Sequence, residues 1–553
     1  MMEFNEQWFD TCSKVGCAAK VGNIKLLKQL IKENCPVDVA DNRGWKPLHE
    51  AAAIPPTEEC LAELLKHEKT DINWQTHEGE SALLLACKRR QGSTANEFVK
   101  LLLQHGADPN IPDNESDTPL LQALRNKNEF LVEKLVVAGA DVNATDCSGW
   151  SPLHQAASSK NPTLVNFLLK NGANIDARDE CKLTPVFSAA QHGCEKSLKA
   201  LLDAAKEKGN LHIVVNMGAE DWATPLMIAA QQGFEACVKL LLDYGADPNL
   251  KTSDNATALH MAVQANNTTC LEILLQNMFL KPIIQAFHPE TYIYSGMICP
   301  LHLAIEWKNH ASLKVLLEAG FAPDSLYDCR DSVQVTRIPY LCFPECESAL
   351  SFACFKKDTM SIAVLLSSGA DPSPPVETAY HPAMRAINVH NIEALQILIE
   401  SGTNLNYQRK EFPSNEVFLS ALLSTQDILR LLLYHGCDPN LCFQIKNDYC
   451  FQRCASRYIK RNGLTLREFL RVILPYLVVS PHMQTSLDAL SKRYPENVRD
   501  IIEEIGQPSP LQQLCVIQIR QHLYSVHRNK LPFVIHQLNL PHLLTQLISC
   551  SSQ

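Results

Sequence analysis

The residues of this chain that could carry chemistry are a set of spaced histidines and one cluster of soft metal donors. His49, His154, His260 and His302 bring the imidazole that general acid–base catalysis uses near neutral pH. All four occupy the same slot of a recurring pattern, which reads as a structural role, with the rings hydrogen-bonded within turns. His435, Cys437, Cys442, Cys450 and Cys454 have the donor types of a zinc site. Their spacing is unlike the tight knuckles of structural zinc, so packing cysteines are the expectation and a zinc enzyme is the rival. The chain has no His-Glu-x-x-His, no Gly-x-Ser-x-Gly, no Walker-type Gly-Lys-Ser/Thr loop and no Gly-x-Gly-x-x-Gly after a strand. The sequence therefore predicts no catalytic residue, no metal and no cofactor.

The elements that hold these residues are periodic. Lys46-Pro47-Leu48-His49-Glu50-Ala51-Ala52, Ser151-Pro152-Leu153-His154-Gln155-Ala156-Ala157, Thr184-Pro185-Val186-Phe187-Ser188-Ala189-Ala190 and Thr224-Pro225-Leu226-Met227-Ile228-Ala229-Ala230 are copies of one helix opening. Proline there fixes φ where no donor is needed, and the paired alanines let two antiparallel helices approach. A second marker, Gly106-Ala107-Asp108-Pro109-Asn110, recurs at Gly139, Gly172, Gly245, Gly369 and Gly436. Its glycine can take the left-handed conformation that stops a helix, and the Asp or Asn suits the following turn. Gly106, Gly139 and Gly172 are 33 residues apart. The helix opening resembles the ankyrin repeat's Thr-Pro-Leu-His-x-Ala-Ala, and the spacing is that repeat's period.

Openings near Ser13, Lys46, Ser81, Thr118, Ser151, Thr184, Thr224, Thr257, Cys299, Ser348, His381 and Glu416 predict about twelve helix-turn-helix repeats in an all-α solenoid. The first and last are degenerate, as caps are. The expected organisation is an N-terminal extension at 1–12, an ankyrin array at 13–440, a helical spacer at 441–508 and a terminal module at 509–553. Insertions stretch the period at 204–221, 277–298 and 321–347, and such insertions individualise a binding surface. Tyr292, Tyr294 and the 340–343 segment from Tyr340 are therefore residues of interest. Trp45, Trp150 and Trp222 fall at or beside the hairpin before a helix opening. Tryptophan is enriched among interface hot spots, so these three and the two tyrosines are candidate anchors for a client protein. The alternative is that each tryptophan ring lies flat on the next hairpin. In the spacer, 464–479 and 486–505 carry apolar residues at helical spacing, interrupted by Pro475, Pro481 and Pro495.

Near the C-terminus, Ser509 suits an N-cap, Pro510 the first helical position and Gln512 a capping box. Leu511, Leu514, Cys515 and Ile519 then line one helical face. That stripe fits a core helix as well as a partner-binding one. The segment resembles the first part of the SOCS box: small residue or Pro, Leu, three residues, Cys, three residues, aliphatic. Pro510, Leu511, Cys515 and Ile519 fill every slot. The second part of that box reads Leu-Pro-Leu-Pro followed by spaced leucines. Here it is Leu538-Asn539-Leu540-Pro541 with Leu543, Leu544, Leu547 and Ile548, so Asn539 departs from the pattern.

An ankyrin array followed by a SOCS box resembles the ankyrin repeat and SOCS box family over nearly the whole chain. That resemblance implies a non-catalytic substrate receptor of a cullin-type ubiquitin ligase, with a three-helix SOCS box. Leu511, Leu514, Cys515 and Ile519 would bind elongin C, held with elongin B, while Leu538, Leu540 and Pro541 would contact the fifth cullin with its RING subunit. The rival is a plain ankyrin scaffold in which the last helix only caps the array.

Composition bears on the remaining classes. A net charge of −10 without a Lys/Arg run argues against a nucleic-acid partner. Met1-Met2-Glu3-Phe4-Asn5-Glu6 has no basic start followed by an apolar stretch, which predicts no signal peptide. The longest apolar run, 472–479, is interrupted by Pro475 and far too short to span a membrane. The 21 cysteines lack the spacing of a secreted disulfide framework, so reduced thiols are expected. The expected location is cytoplasmic, with the nucleus as the alternative.

Overall fold

The computed structural model describes residues 12–53, 57–89, 93–278, 299–328, 346–374, 380–408, 415–443 and 449–473, with single positions between Ile284 and Leu490. The segments carrying Tyr292, Tyr294 and Tyr340, and the whole of 509–553 with Leu511, Leu514, Cys515, Ile519, Leu538, Leu540 and Pro541, lie outside the described residues. Two compact units are present, Met1–Ala262 and Val263–Gln553.

Twelve antiparallel helix pairs make up the described array. The first seven, from Lys14–Val21 with Ile24–Lys32 to Pro225–Gln232 with Glu235–Asp243, belong to the first unit. The unit division falls within Ala258–Gln264, the opening helix of the eighth pair. Thr118, Ser151, Thr184 and Thr224 cap their helices by accepting the N–H of Leu121, His154, Phe187 and Met227, and proline follows each cap. Losing one such cap costs about 1 kcal/mol. At the far end of a pair, Gly106 takes φ 91° and its N–H reaches the Leu103 carbonyl, while Ala107 reaches back to Leu102. That left-handed stop turns the chain into the hairpin leading to the next pair.

Two layers result in each unit. First helices pack on first helices, as Pro152–Ser158 does on Pro185–Gln191, and second helices pack on second helices, as Pro162–Lys170 does on Glu195–Lys208. The paired alanines Ala156, Ala157, Ala189, Ala190, Ala229 and Ala230 are fully buried where the layers meet. Leucines such as Leu168, Leu201 and Leu241 fill the space from the second helices. A single pair buries too little apolar surface to stand alone, so the core exists only between neighbours.

The insertions differ in what they build. At 204–221 the second helix continues to Lys208, stops at Gly209 with φ 76°, and is followed by the short helix Leu211–Val214. In the second unit, Leu326–Asp328 pairs antiparallel with Cys346–Ser348, a two-stranded departure from the helical pattern at the ends of the third insertion. Beyond the twelfth pair, Tyr449–Asn462 packs on Glu416–Ala421, with the Phe418 and Phe451 rings stacked 6.4 Å apart. Leu466–Ile473 follows, with Phe469 5.6 Å from the Tyr458 ring. Tyr449–Asn462 lies in the span expected as a helical spacer, with Phe451, Ala455, Tyr458 and Ile459 at helical spacing.

Candidate protein-interaction surface

The recurring histidines act as latches. Nδ1 of His49, His154 and His260 accepts the backbone N–H of Lys46, Ser151 and Thr257 at 3.1, 3.2 and 3.0 Å. The proton then sits on Nε2, which donates to the Trp74 and Leu183 carbonyls at 3.0 and 3.1 Å for His49 and His154. Burial lowers the pKa of His49 to about 4 and of His302 to about 3. In His49 and His154 the latch fastens a first helix to the hairpin ahead of it.

Two members of the soft-donor cluster are used in packing. Cys437 and Cys442 are buried, with their thiols directed at the Leu405 and Asn415 carbonyls, 3.4 and 3.8 Å away. Burial drives the Cys437 thiol pKa far upward, away from the thiolate that a metal requires. Among the described residues no group of three His, Cys, Asp or Glu side chains converges on a metal position.

The hairpins carry the three tryptophans, and the structure separates them. Asp41 Oδ1 accepts the N–H of Arg43 and Trp45 at 2.9 and 2.8 Å, and Asp146 Oδ1 does the same for Ser148 and Trp150 at 3.0 and 2.9 Å. Each Asp thereby closes a hairpin whose tip is a left-handed glycine, Gly44 at φ 77° and Gly149 at φ 75°. Trp45 and Trp150 follow those glycines. Trp45 is 7% exposed beneath the Arg43 guanidinium, 4.5 Å from the ring centre. Trp150 is half-buried, its Nε1 donating to Gln155 at 3.3 Å and its ring 5.0 Å from His154.

Trp222 stands one place earlier in its hairpin. It occupies the left-handed tip itself, at φ 67°, and is 68% exposed. Ala223 fills the slot that Trp45 and Trp150 hold. A rigid network fixes the tip: Trp222 N–H reaches Ala219 at 3.1 Å, Glu220 N–H reaches Cys181 at 3.1 Å, and Ser253 N–H reaches Asp221 at 2.9 Å. A bulky residue with positive φ is an outlier that persists only where its surroundings impose it.

A ladder of charges that sequence reading missed runs along the first helices. Arg43 bridges Asp41 and Glu50 at 2.6 and 2.5 Å; Lys88 bridges Glu80 and Asp113 at 3.2 and 2.5 Å; Arg125 bridges Asp117 and Asp146. The last two join one repeat's helix to the next repeat's hairpin. Burial works against the Lys88 ammonium, but hydrogen bonds to Asp113 and Glu80 more than reverse it and raise its pKa. Each rung joins positions seven to 25 residues apart, apart from the local Arg43–Asp41 contact, so no short-range spacing announces it.

The second unit has its own buried pair at the base of the strand pair. Arg385 donates to both oxygens of Glu347 at 2.7 and 3.1 Å, and Ser351 Oγ adds a third bond at 3.0 Å. Burial raises the Glu347 pKa, and the Tyr380 ring covers the guanidinium at 3.9 Å. The carboxylate fixes the C-terminal end of the 321–347 insertion to two later helices.

Comparison with known proteins agrees with this architecture. The family model described as "Ankyrin repeats (3 copies)" matches residues 15–113, 90–179, 120–212, 153–252, 186–286 and 226–327, together more than half of the chain. Human "Ankyrin repeat and SOCS box protein 3" is 47% identical over 121 residues, which is 22% of either chain. Mouse "Ankyrin repeat and SOCS box protein 14" is 29% identical over 319 residues, 54% of this chain and 50% of the mouse protein. "E3 ubiquitin-protein ligase KEG" of Arabidopsis thaliana is 26% identical over 206 residues, 36% of this chain and 11% of its own. The chain thus spans between about a tenth and a half of these relatives.

Proposed function

Because this chain belongs to the ankyrin repeat family, whose arrays grip other proteins rather than transform small molecules, we propose that it is the client-binding subunit of a SOCS-box ubiquitin ligase. The observation that carries the reading is Pro510-Leu511 followed at fixed spacing by Cys515 and Ile519, C-terminal to the array. Similarity to proteins named for ankyrin repeats and a SOCS box supports it at family level. In this reading Leu511, Leu514, Cys515 and Ile519 form an apolar face for elongin C, bound with elongin B. Leu538, Leu540 and Pro541 contact the fifth cullin, which brings the RING subunit. The array supplies the client surface, with Trp222 as its foremost anchor and Trp150 as a second. Chemistry is left to the other subunits, and this chain raises the effective concentration of client lysines near the charged conjugating enzyme, marking the client for degradation.

The test is a pull-down of the full chain with elongin B and C, with and without the fifth cullin, comparing wild type with a Leu511→Pro, Cys515→Phe variant. Retention of elongin by wild type alone supports the receptor, and the cullin lane reports whether Asn539 is tolerated. Elongin bound by neither protein would replace the receptor with the plain ankyrin scaffold.

A further inference from the structure

The first unit carries a groove on its second-helix side, remote in kind from the hairpin tips and independent of the client reading. It arises from a mismatch of lengths. Glu195–Lys208 has 14 residues, whereas its neighbours Pro162–Lys170 and Glu235–Asp243 have nine each. Between this helix and Pro162–Lys170 lies an open groove of about 510 Å³, which the extra turn and a half prolongs with Ala204, Glu207 and Lys208.

Four exposed lysines line this space, Lys170 from one helix and Lys196, Lys199 and Lys208 from the other. Against them stand two carboxylates, Asp203 and Glu207. Asp203 is the helical partner expected for Lys199 four residues earlier, but it accepts the Tyr244 hydroxyl at 2.5 Å from the next helix pair. Lys239, in that same next pair, keeps such a partner in Glu235. The groove is therefore an excess of cation, four ammonium groups to two carboxylates, on a chain whose net charge is −10.

We propose that this groove docks an acidic segment of a partner protein. The charges do not converge on a point. From Lys196 to Lys208 a helix rises about 18 Å, the length of roughly five or six extended residues, so the layout matches carboxylates distributed along a strand. Between the lysines, Leu169, Ala200 and Ala204 are half-buried and leave an aliphatic floor for alternate side chains. A segment alternating Glu or Asp with Leu or Val places acids on the lysine rims and apolar groups on that floor.

The test uses the full-length chain and a fluorescein-labelled peptide of alternating Glu and Leu, eight residues long, read by anisotropy at low and physiological salt. A peptide with Gln in place of Glu and inorganic tripolyphosphate are the comparison probes. Wild type should bind the acidic peptide, more weakly as salt rises. Lys196→Glu with Lys199→Glu should weaken binding at least tenfold. Lys25→Glu with Lys32→Glu, the same charge change on exposed residues of Ile24–Lys32, should leave it within twofold. Equal losses in both variants would reduce the groove to the general field of the protein and overturn the proposal. So would equal binding of the Gln peptide, or binding of tripolyphosphate without the acidic peptide.

Discussion

Repeats two to four and repeat six belong to the same unit and are built from the same helix pair, yet they leave opposite surfaces. In the earlier repeats Trp45 is roofed by Arg43, and Lys88 and Arg125 each bridge two carboxylates. At repeat six the extended helix leaves a row of lysines facing a groove, and in the hairpin that leads to the next repeat Trp222 projects from a left-handed tip. The contrast teaches where an array keeps its individuality. Regular spacing permits every rung to be matched by the next, and an insertion that breaks the spacing leaves groups to be matched by another molecule.

The largest expected effect breaks the regular side of this contrast. Glu80 and Asp113 have side chains 6% and 4% exposed, and Lys88 is the cation between them. Lys88→Met removes it and leaves two buried carboxylates facing one another, a loss on the order of 3–5 kcal/mol. Urea unfolding followed by hydrogen exchange in repeats three and four should show that loss. Adding Glu80→Gln and Asp113→Asn should recover most of it; no recovery would mean that the lysine acts through its stem and not its charge.

The latches provide a second, pH-dependent measure. His49 has its pKa lowered from 6.5 to about 4 by burial, so the folded state favours the neutral ring. A depressed histidine contributes stability that is fully present above the unfolded pKa, and that contribution falls as pH drops from about 6.5 through 4. The whole shift is worth about 3 kcal/mol. Denaturation midpoints measured from pH 7 to 4 should therefore fall, and His49→Asn should flatten that part of the dependence while lowering the plateau. A wild-type profile unchanged by the substitution would assign the acid sensitivity to other groups.

Much of the array was legible from residue type and place alone. Thr118-Pro119, Thr184-Pro185 and Thr224-Pro225 mark helix starts, and Gly106 or Gly139 mark stops, because caps and left-handed turns are local requirements. The strand pair Leu326–Asp328 with Cys346–Ser348 was not legible, since its partners are joined only through an insertion. Nor were the Lys88 and Arg125 bridges, whose acids come partly from the next repeat. The tryptophans mark an intermediate case. Trp45 and Trp150 precede the cap position by one residue and Trp222 precedes Thr224 by two. Counting back from the cap separates them, whereas grouping them by proximity to the hairpin does not.

That one-residue offset yields the finest prediction. Trp45 is buried, so Trp45→Ala should destabilise the first unit by about 3 kcal/mol. Trp222 exposes 68% of its surface and holds φ 67°, a conformation that glycine adopts without the clash of a Cβ. Trp222→Gly should therefore stabilise the fold by about 0.5–1 kcal/mol, the smaller figure reflecting the entropy that glycine adds to the unfolded chain. Equilibrium denaturation of the two variants should give opposite signs from the same residue type. If Trp222→Gly destabilises, the indole is packing within the array and its hairpin resembles that of Trp45 after all. If it stabilises while capture of a bound client falls, the strain at the tip is retained for recognition, and the hairpin after the insertion at 204–221 holds a hot-spot ring where the hairpins of Trp45 and Trp150 hold Gly44 and Gly149.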